Sequence, residues 1–181
     1  MGEIEHAKRV RFVVGILTQF PSAVDQVFAR LEKEFGKSDL SSPLLPFFHT
    51  PHYDEEMGEN LYRRCFTFPK LVDPDELPAI KAWTNKLERR LASSGKFEVE
   101  RPVNIDPGYV TLTKLVVASS RDYAHRVHIG DGVYGEIALA WSQATFAARE
   151  GTRPDFKSRE MIGFFNRVRA LYASKVALEE V

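Results

Sequence analysis

Residues 101–136 combine the longest strand-like run of the chain with its densest group of polar side chains. Within this segment, Pro107 and Gly108 are typical of a type II turn, because proline presets φ at the first central position and glycine supplies positive φ at the second. We therefore expect a turn over residues 106–109. Residues 110–118 are partly apolar on both faces, which favours a single central strand.

A β-hairpin follows this strand in the sequence. Residues 125–129 and 133–141 alternate between apolar and polar side chains, and Gly130-Asp131-Gly132 separates the two runs. A three-residue loop with Gly132 in the left-handed conformation keeps apolar positions opposite apolar positions. The predicted register pairs the polar residues across the strands: Arg126 with Glu136, and His128 with Tyr134.

The rest of the chain alternates strand-like and helix-like patterns. Strand-like runs cover residues 9–17, 61–71 and 97–103, whereas the prolines within 38–53 allow only an edge strand or an extended segment there. Three runs with apolar side chains at helical spacing begin at Ser22, Asp73 and Ser158. The order predicts one α+β domain over residues 1–181. Its mostly antiparallel sheet would have a ferredoxin-like βαββαβ core, an added C-terminal β-hairpin and a final helix.

Composition excludes several classes of partner. The 181 residues contain 25 basic and 25 acidic side chains, so the formal net charge is zero. This balance predicts neither nucleic-acid binding nor attraction to a membrane surface. The N-terminus has no apolar signal core, and the single cysteine fits a reducing compartment, so we expect a cytoplasmic protein.

Several motifs resemble a bacterial domain family of unknown function. They are FVVGILTQF at residues 12–20, DEEMGENLYRR at 54–64, LVDPDEL at 71–77, NIDPGYVTLTKLVVASSRDYAHR at 104–126 and GDGVYGEIAL at 130–139. They occur in order over nearly the whole chain. The resemblance implies common ancestry and no known activity, although some members carry a GTP-binding label.

The sequence does not support conventional GTPase chemistry. A P-loop needs the pattern G-x-x-x-x-G-K-[ST] between a strand and a helix, because backbone amides and a lysine must surround the phosphates. The first strand-to-helix junction, residues 15–22, has one glycine and no lysine.

Two further groups of reactive side chains have a simpler structural interpretation. His49 and His52 precede the acidic residues 54–56 and have the chemistry of a divalent metal site. Their proline-rich loop does not force the side chains together, so we favour an exposed polar loop and predict no metal. Cys65 is expected to be a buried structural thiol.

The candidate site lies around the hairpin and the turn before it. Arg126 is suited to hold a phosphate or carboxylate through two parallel hydrogen bonds. His128 and Glu136 are candidates for proton transfer near neutral pH. The candidate ligand-binding residues share polar side chains on these strands and turns: Asn104, Asp106, Tyr109, Lys114, Arg121, His125, Arg126 and Tyr134. The alternative is an outer sheet face with cross-strand charge pairs, each contributing about 0.2–1 kcal/mol.

These patterns predict a small cytoplasmic domain that binds an anionic metabolite near Arg126. Its ligand would bear phosphate or carboxylate, and nucleotides belong to that class. Whether the domain is an enzyme stays open, and no cofactor is identified. The alternative is a non-catalytic module that dimerises or docks a protein through a sheet edge or the last helix. A binding site predicts a concave pocket at the hairpin, whereas an interaction module predicts a flat surface with an exposed apolar patch.

Overall fold

The computed structural model describes residues 2–3, 5–47 and 53–179. The strands in these residues are β1 Val10–Thr18, β2 Leu40–Ser41, β3 Leu45–Pro46, β4 Tyr62–Val72, β5 Asn104–Val110, β6 Lys114–Ser119, β7 Arg126–Gly130, β8 Val133–Ser142 and β9 Thr145–Ala148. The α-helices are α1 Pro21–Phe35, α2 Asp54–Met57, α3 Leu77–Ala92 and α4 Arg159–Glu179. Short 3-10 turns cover Pro74–Glu76 and Pro154–Lys157.

All the described strands join one antiparallel sheet. Its strand order is β2-β4-β1-β5-β6-β8-β7, while β3 pairs with β4 and β9 pairs with β8. The predicted α+β class and mostly antiparallel sheet are therefore confirmed. The ferredoxin-like core with one added hairpin is not confirmed as such, because the observed strand order is more elaborate.

Helices cover both faces of this sheet. One apolar core combines alternate residues of β1, such as Phe12 and Val14, with the buried sides of α1 and α3. A second core lies on the other face, where Val13 meets Phe164 and Phe165 of α4. Because side chains of a strand alternate between faces, β1 contributes to both cores.

The starts of α3 and α4 follow the predicted signals, whereas α1 begins at Pro21, with Phe20 and not Ser22 at its N-cap. Glu76 Oε1 accepts a hydrogen bond from Asp73 N at 2.9 Å, and the 3-10 turn that follows Asp73 leads directly into α3. At the start of α4, Ser158 Oγ accepts a hydrogen bond from Met161 N at 3.2 Å. These side chains satisfy backbone donors that have no partner within the helix.

The predicted turn over 106–109 is wrong, because Pro107 and Gly108 lie inside β5. Backbone groups of successive residues in a strand point to alternate sides. Ile105 N and O point away from β1 and bond to side chains of α3. Pro107 is two residues further on, so its nitrogen points the same way. β6 does not pair with β5 at Pro107, so the missing N–H of proline leaves no ladder hydrogen bond unmade. A Cβ on Gly108 would lie 2.3 Å from Val116 O, so the close approach of β6 requires glycine.

The single strand predicted over 110–118 is also wrong. The chain turns at Thr111, whose Oγ1 accepts hydrogen bonds from Thr113 N and Lys114 N, both at 3.1 Å. β5 therefore ends at Val110, and β6 runs back from Lys114. The strand predicted over 97–103 does not form; these residues lead irregularly into β5.

The predicted pairing register between β7 and β8 is confirmed. Arg126 lies opposite Glu136 and His128 lies opposite Tyr134. The connecting turn has two residues, Asp131 and Gly132, rather than three, and both have positive φ. An irregularity between His128 and Gly130 compensates for the shorter turn. Within the described residues, no helix is long and apolar enough to cross a membrane.

Candidate functional site

A cleft opens where β5 and β6 diverge. The two strands pair only from Gly108 to Val110 of β5, so residues 104–107 have β1 on one side and no strand on the other. Beyond this point β6 follows β8 as far as Ser119. The resulting cleft has a volume of about 690 Å³, which is in the range of small-molecule sites.

Side chains of α3 occupy the open edge of β5. Lys81 Nζ donates a hydrogen bond to Ile105 O at 2.8 Å, and Glu88 Oε1 accepts one from Ile105 N at 2.7 Å. Lys81 and Glu88 are seven residues apart, so they lie on the same side of the helix. They satisfy backbone groups that a neighbouring strand would otherwise pair.

Asp106 is the central acceptor of the cleft. Its Oδ2 accepts hydrogen bonds from Arg63 Nη1 at 2.8 Å, Asn104 Nδ2 at 2.9 Å and Arg153 Nη1 at 3.0 Å. Burial alone would raise the pKa of Asp106, but Arg153, Arg63 and Lys81 outweigh burial and hold that pKa well below its ordinary value. The carboxylate therefore stays charged in strongly cationic surroundings.

Arg63 anchors this cluster from β4. Its side chain is fully buried, pairs with Asp155 as well as Asp106, and lies 5.6 Å from the Phe156 ring. Burial opposes the charged form, but the carboxylates of Asp155 and Asp106 more than offset it and raise the pKa of Arg63. Arg63 is thus a permanent internal cation.

Glu136 extends the charge network to the hairpin. Its Oε2 accepts a hydrogen bond from Arg126 Nε at 2.7 Å and lies 3.4 Å from His125 Nε2. Its Oε1 lies 3.5 Å from Arg153 Nε, so Arg153 bridges Glu136 and Asp106. The β7–β8 register produces this arrangement because it sets Arg126 opposite Glu136.

Arg101 lines the cleft on the side of α3. Its Nη2 donates to Asn104 Oδ1 at 2.5 Å and to Glu88 Oε2 at 3.1 Å, and its Nη1 lies 3.5 Å from Glu56 Oε2. The same Glu88 accepts the Ile105 amide, so Arg101 is held against both α3 and β5.

Some buried polar atoms in this network have no hydrogen-bond partner in the described part of the chain. They include Arg63 Nη2, Arg153 Nη2 and Asp155 Oδ1. Arg153 and Asp155 both line the cleft. Buried polar groups in native proteins are normally satisfied, so a donor and an acceptor here are available to a ligand or to water.

The cleft brings together six of the residues that the sequence suggested. They are Asn104, Asp106, Arg121, His125, Arg126 and Glu136.

Four suggested residues lie elsewhere. Tyr109 packs with the apolar residues on the α3 side, and Lys114 lies at the far end of β6. His128 and Tyr134 contact each other near the hairpin turn, with ring centroids 5.5 Å apart.

Sequence reasoning missed Lys81, Glu88, Arg101, Arg153 and Asp155. Lys81 and Glu88 lie seven residues apart beside the apolar stripe of α3. Charged residues next to a buried helix face are seldom buried without a partner, so this spacing could have indicated a buried polar contact. No local pattern distinguishes Arg153 and Asp155, because their loop reaches the cleft only through the tertiary fold.

His49 and His52 lie outside the described residues. Elsewhere, in residues 2–3, 5–47 and 53–179, no group of three or more His, Cys, Asp or Glu side chains is arranged to hold a metal ion. Cys65 is buried as predicted, and desolvation raises the pKa of its thiol to about 12 even though Arg63 opposes that rise.

The fold is that of an α+β protein with one antiparallel sheet, and charged side chains line its cleft. A family model described as Domain of unknown function (DUF4416) matches residues 8–172, so the chain belongs to that family. No curated protein and no solved structure gives a significant match. Membership of an uncharacterised family is thus confirmed, whereas GTP binding is not, because the family's description names no activity.

Proposed function

We propose that this protein binds a small anionic metabolite, bearing phosphate or carboxylate, in the cleft between β5 and β6. The observation that carries the proposal is the convergence of cationic side chains on one concave site. Those lining the cleft are five arginines: Arg89, Arg101, Arg121, Arg126 and Arg153. The ligand would bind where β5 and β6 diverge, and the contacts would come from the six suggested residues that line the cleft together with Lys81, Arg101 and Arg153.

Six acidic side chains also line the cleft, those of Glu56, Glu88, Glu100, Asp106, Glu136 and Asp155. Five of these form ion pairs with nearby cations, although Glu136 Oε1 and Asp155 Oδ1 accept no hydrogen bond within the described residues. Asp106 accepts three hydrogen bonds, and Glu88 and Glu136 each contact at least two donors. Arg153 Nη2, in contrast, has no partner among the described residues. The lowered pKa of Asp106 supports a positive local potential, since cationic neighbours outweigh the cost of burial. Arg153 lines the cleft and has an unsatisfied donor, so it is a candidate donor to an incoming anion.

A thermal-shift screen tests this proposal. The panel contains inorganic phosphate, phosphorylated metabolites, nucleotides and small carboxylates, each with and without Mg²⁺. A ligand at about one hundred times its Kd should add about 2.7 kcal/mol to the free energy of unfolding. We expect a hit from this panel to bind more weakly to Arg126→Ala and to Arg89→Ala.

Arg167→Ala is the matched control, because Arg167 is exposed on α4 and lies outside the cleft. It should retain the full shift. If no compound shifts the wild type, or if both cleft variants keep the wild-type shift, the cleft is not an anion site.

Self-association is a second candidate function, favoured by the exposed edge of the sheet. β7 is the last strand in the order, and the side chains of Val127 and Ile137 are 68% and 48% exposed. Light scattering after size exclusion, over a range of concentrations, would measure the mass. Conversion of a dimeric wild type to a monomer by Val127→Lys would support this candidate, and a monomeric wild type would reject it.

We also interpret part of the sheet as a ferredoxin-like core. The interpretation rests on β1 lying between β4 and β5, on β2 lying outside β4, and on α1 and α3 forming the two connections. In this interpretation β6 to β9 extend the core beyond β5. We place the function in the cytoplasm on the grounds of cysteine usage alone.

A further inference from the structure

Lys81 presents a buried amine to the cleft. The residue is only 4% exposed, yet it lines the cleft between β5 and β6. Among the described residues its Nζ makes one hydrogen bond, to Ile105 O. Capping that carbonyl uses a single donor, so the amino group keeps further hydrogen-bonding capacity beside the cleft.

We propose that Lys81 Nζ is a nucleophile that forms an imine with the carbonyl carbon of an anionic aldehyde or ketone. The inference rests on the anion-binding function proposed above, which would hold the phosphate or carboxylate of the same molecule. Arg101 and Arg153 line the same cleft and supply the cationic groups for that purpose.

The surroundings of Lys81 favour the neutral amine that such chemistry needs. Burial lowers the pKa of Lys81, and the cationic groups of Arg101 and Arg153 lower it further. Asp106 on β5 and Glu88 on α3 act in the opposite direction, but burial is the largest influence. A buried lysine with a lowered pKa is the usual form of an imine-forming residue.

The reaction is balanced without a cofactor. The nitrogen lone pair attacks the carbonyl carbon, and a proton passes from nitrogen to the carbonyl oxygen, which gives a carbinolamine. The hydroxyl group then takes a proton from solvent and leaves as water, while the nitrogen forms a double bond to carbon. The resulting iminium ion returns its N–H proton to solvent to give the imine. Water reverses the sequence and restores the free amine.

Reductive trapping of the full-length protein tests the proposal. Glyoxylate is the anionic probe, acetaldehyde is the neutral probe with the same reacting group, and cyanoborohydride donates hydride to the imine carbon to give a stable secondary amine. Peptide mass mapping then measures the rate at each lysine. Lys86 is the internal reference because it is exposed on the same helix.

At neutral pH we expect glyoxylate to modify Lys81 at least about tenfold faster than Lys86, a ratio that corresponds to about 1.4 kcal/mol of barrier. A lowered pH should slow Lys81 less than an amine of ordinary lysine pKa, because the lower pKa keeps more of the Lys81 amine neutral. Lys81→Gln should remove the fast-reacting site, and Lys86→Gln should retain it.

The two probes separate the inference from the function on which it rests. If thermal shifts report anion binding but Lys81 reacts more slowly than Lys86 with both probes, the nucleophile is rejected and the binding function stands. If Lys81 reacts fastest with both probes to the same degree, the nucleophile stands and the anion site loses support. A preference for glyoxylate that Arg126→Ala removes supports both. Because these rates are measured on wild type, the test does not depend on Lys81→Gln folding.

Discussion

Asp106 connects three parts of the site through one carboxylate oxygen. It joins β5 to Arg63 on β4 and to Arg153 in the loop before α4, and Asn104 completes its hydrogen bonds. Its residue is 9% exposed, so an uncompensated charge at this position would be costly to bury. The cluster therefore positions the cleft and also contributes to stability.

We expect Asp106→Asn to lower the free energy of unfolding by about 3–5 kcal/mol, because it leaves two buried guanidinium groups without their shared carboxylate. The pKa of this carboxyl is lower in the folded state than its ordinary 3.8. The charged carboxylate of Asp106 therefore stabilises the folded state fully at pH values above 3.8. This contribution is lost as the pH falls from 3.8 toward the pKa of the folded state. Wild type should lose this increment in acid, whereas the variant should not.

Urea unfolding measured over a series of pH values checks this expectation. Asp131→Asn is the matched control, since Asp131 is exposed at the hairpin turn and asparagine tolerates positive φ. Equal acid dependence of wild type and Asp106→Asn would contradict the proposed linkage.

At the level of elements, the divergence of β5 from β6 creates the cleft. Two residues allow β5 to remain a strand although only part of it pairs with β6. Pro107 lacks an N–H where no strand pairs with it, and Gly108 allows β6 to approach where pairing begins. α3 then caps the open edge through Lys81 and Glu88. The early end of β5–β6 pairing and the side chains of α3 thus form the open edge of the cleft.

Sequence alone could predict the long helices and the β7–β8 hairpin but not this divergence. The register of Arg126 against Glu136 followed from alternation, and the start of α3 followed from Asp73 and the proline after it. A Pro-Gly pair is suited both to a tight turn and to the unpaired end of a strand. Only the position of β6 decides which of these two structures Pro107 and Gly108 adopt. The contribution of Arg153 depends on long-range folding, which no local pattern reports.

Gly108→Ala should destabilise the protein by about 1–3 kcal/mol, because the new Cβ meets a backbone oxygen that cannot move without separating β5 from β6. Gly163→Ala is a contrasting control. Gly163 lies within α4, and no neighbouring atom lies within 4 Å of the position that a Cβ would take, so alanine there should stabilise by about 0.5–1 kcal/mol. Denaturant midpoints measure both effects, and an unchanged midpoint for Gly108→Ala would show that the approach of β6 is not tight.

On the scale of the whole molecule, one sheet is shared between two apolar cores. Strands β1, β4 and β5 each contribute side chains to the core of α1 and α3 on one face and to the core of α4 on the other. Tyr172 Oη on α4 also donates a hydrogen bond to Arg9 O at 2.8 Å, which connects the last helix to the start of β1. If the sheet separates from the helices on one face and unfolds, the core on the other face is exposed as well. We therefore expect the two cores to unfold together.

The two tryptophans allow this cooperativity to be measured, because each reports one face. Trp83 packs in the α1–α3 core, with its ring centroid 5.9 Å from that of Phe35. Trp141 packs in the α4 core, 5.4 Å from the ring centroid of Phe146. Fluorescence of the Trp83→Phe and Trp141→Phe variants should therefore follow the two layers separately.

Both variants should give one urea transition, with midpoints that coincide after correction for the small effect of each substitution. Adding Phe165→Ala creates a cavity in the α4 core and should cost about 3–5 kcal/mol. In a cooperative molecule that cost lowers the midpoint reported by Trp83 as much as the midpoint reported by Trp141, although Phe165 lies on the opposite face from Trp83. If only the Trp141 signal shifts, the two layers unfold independently and the single-domain interpretation is wrong.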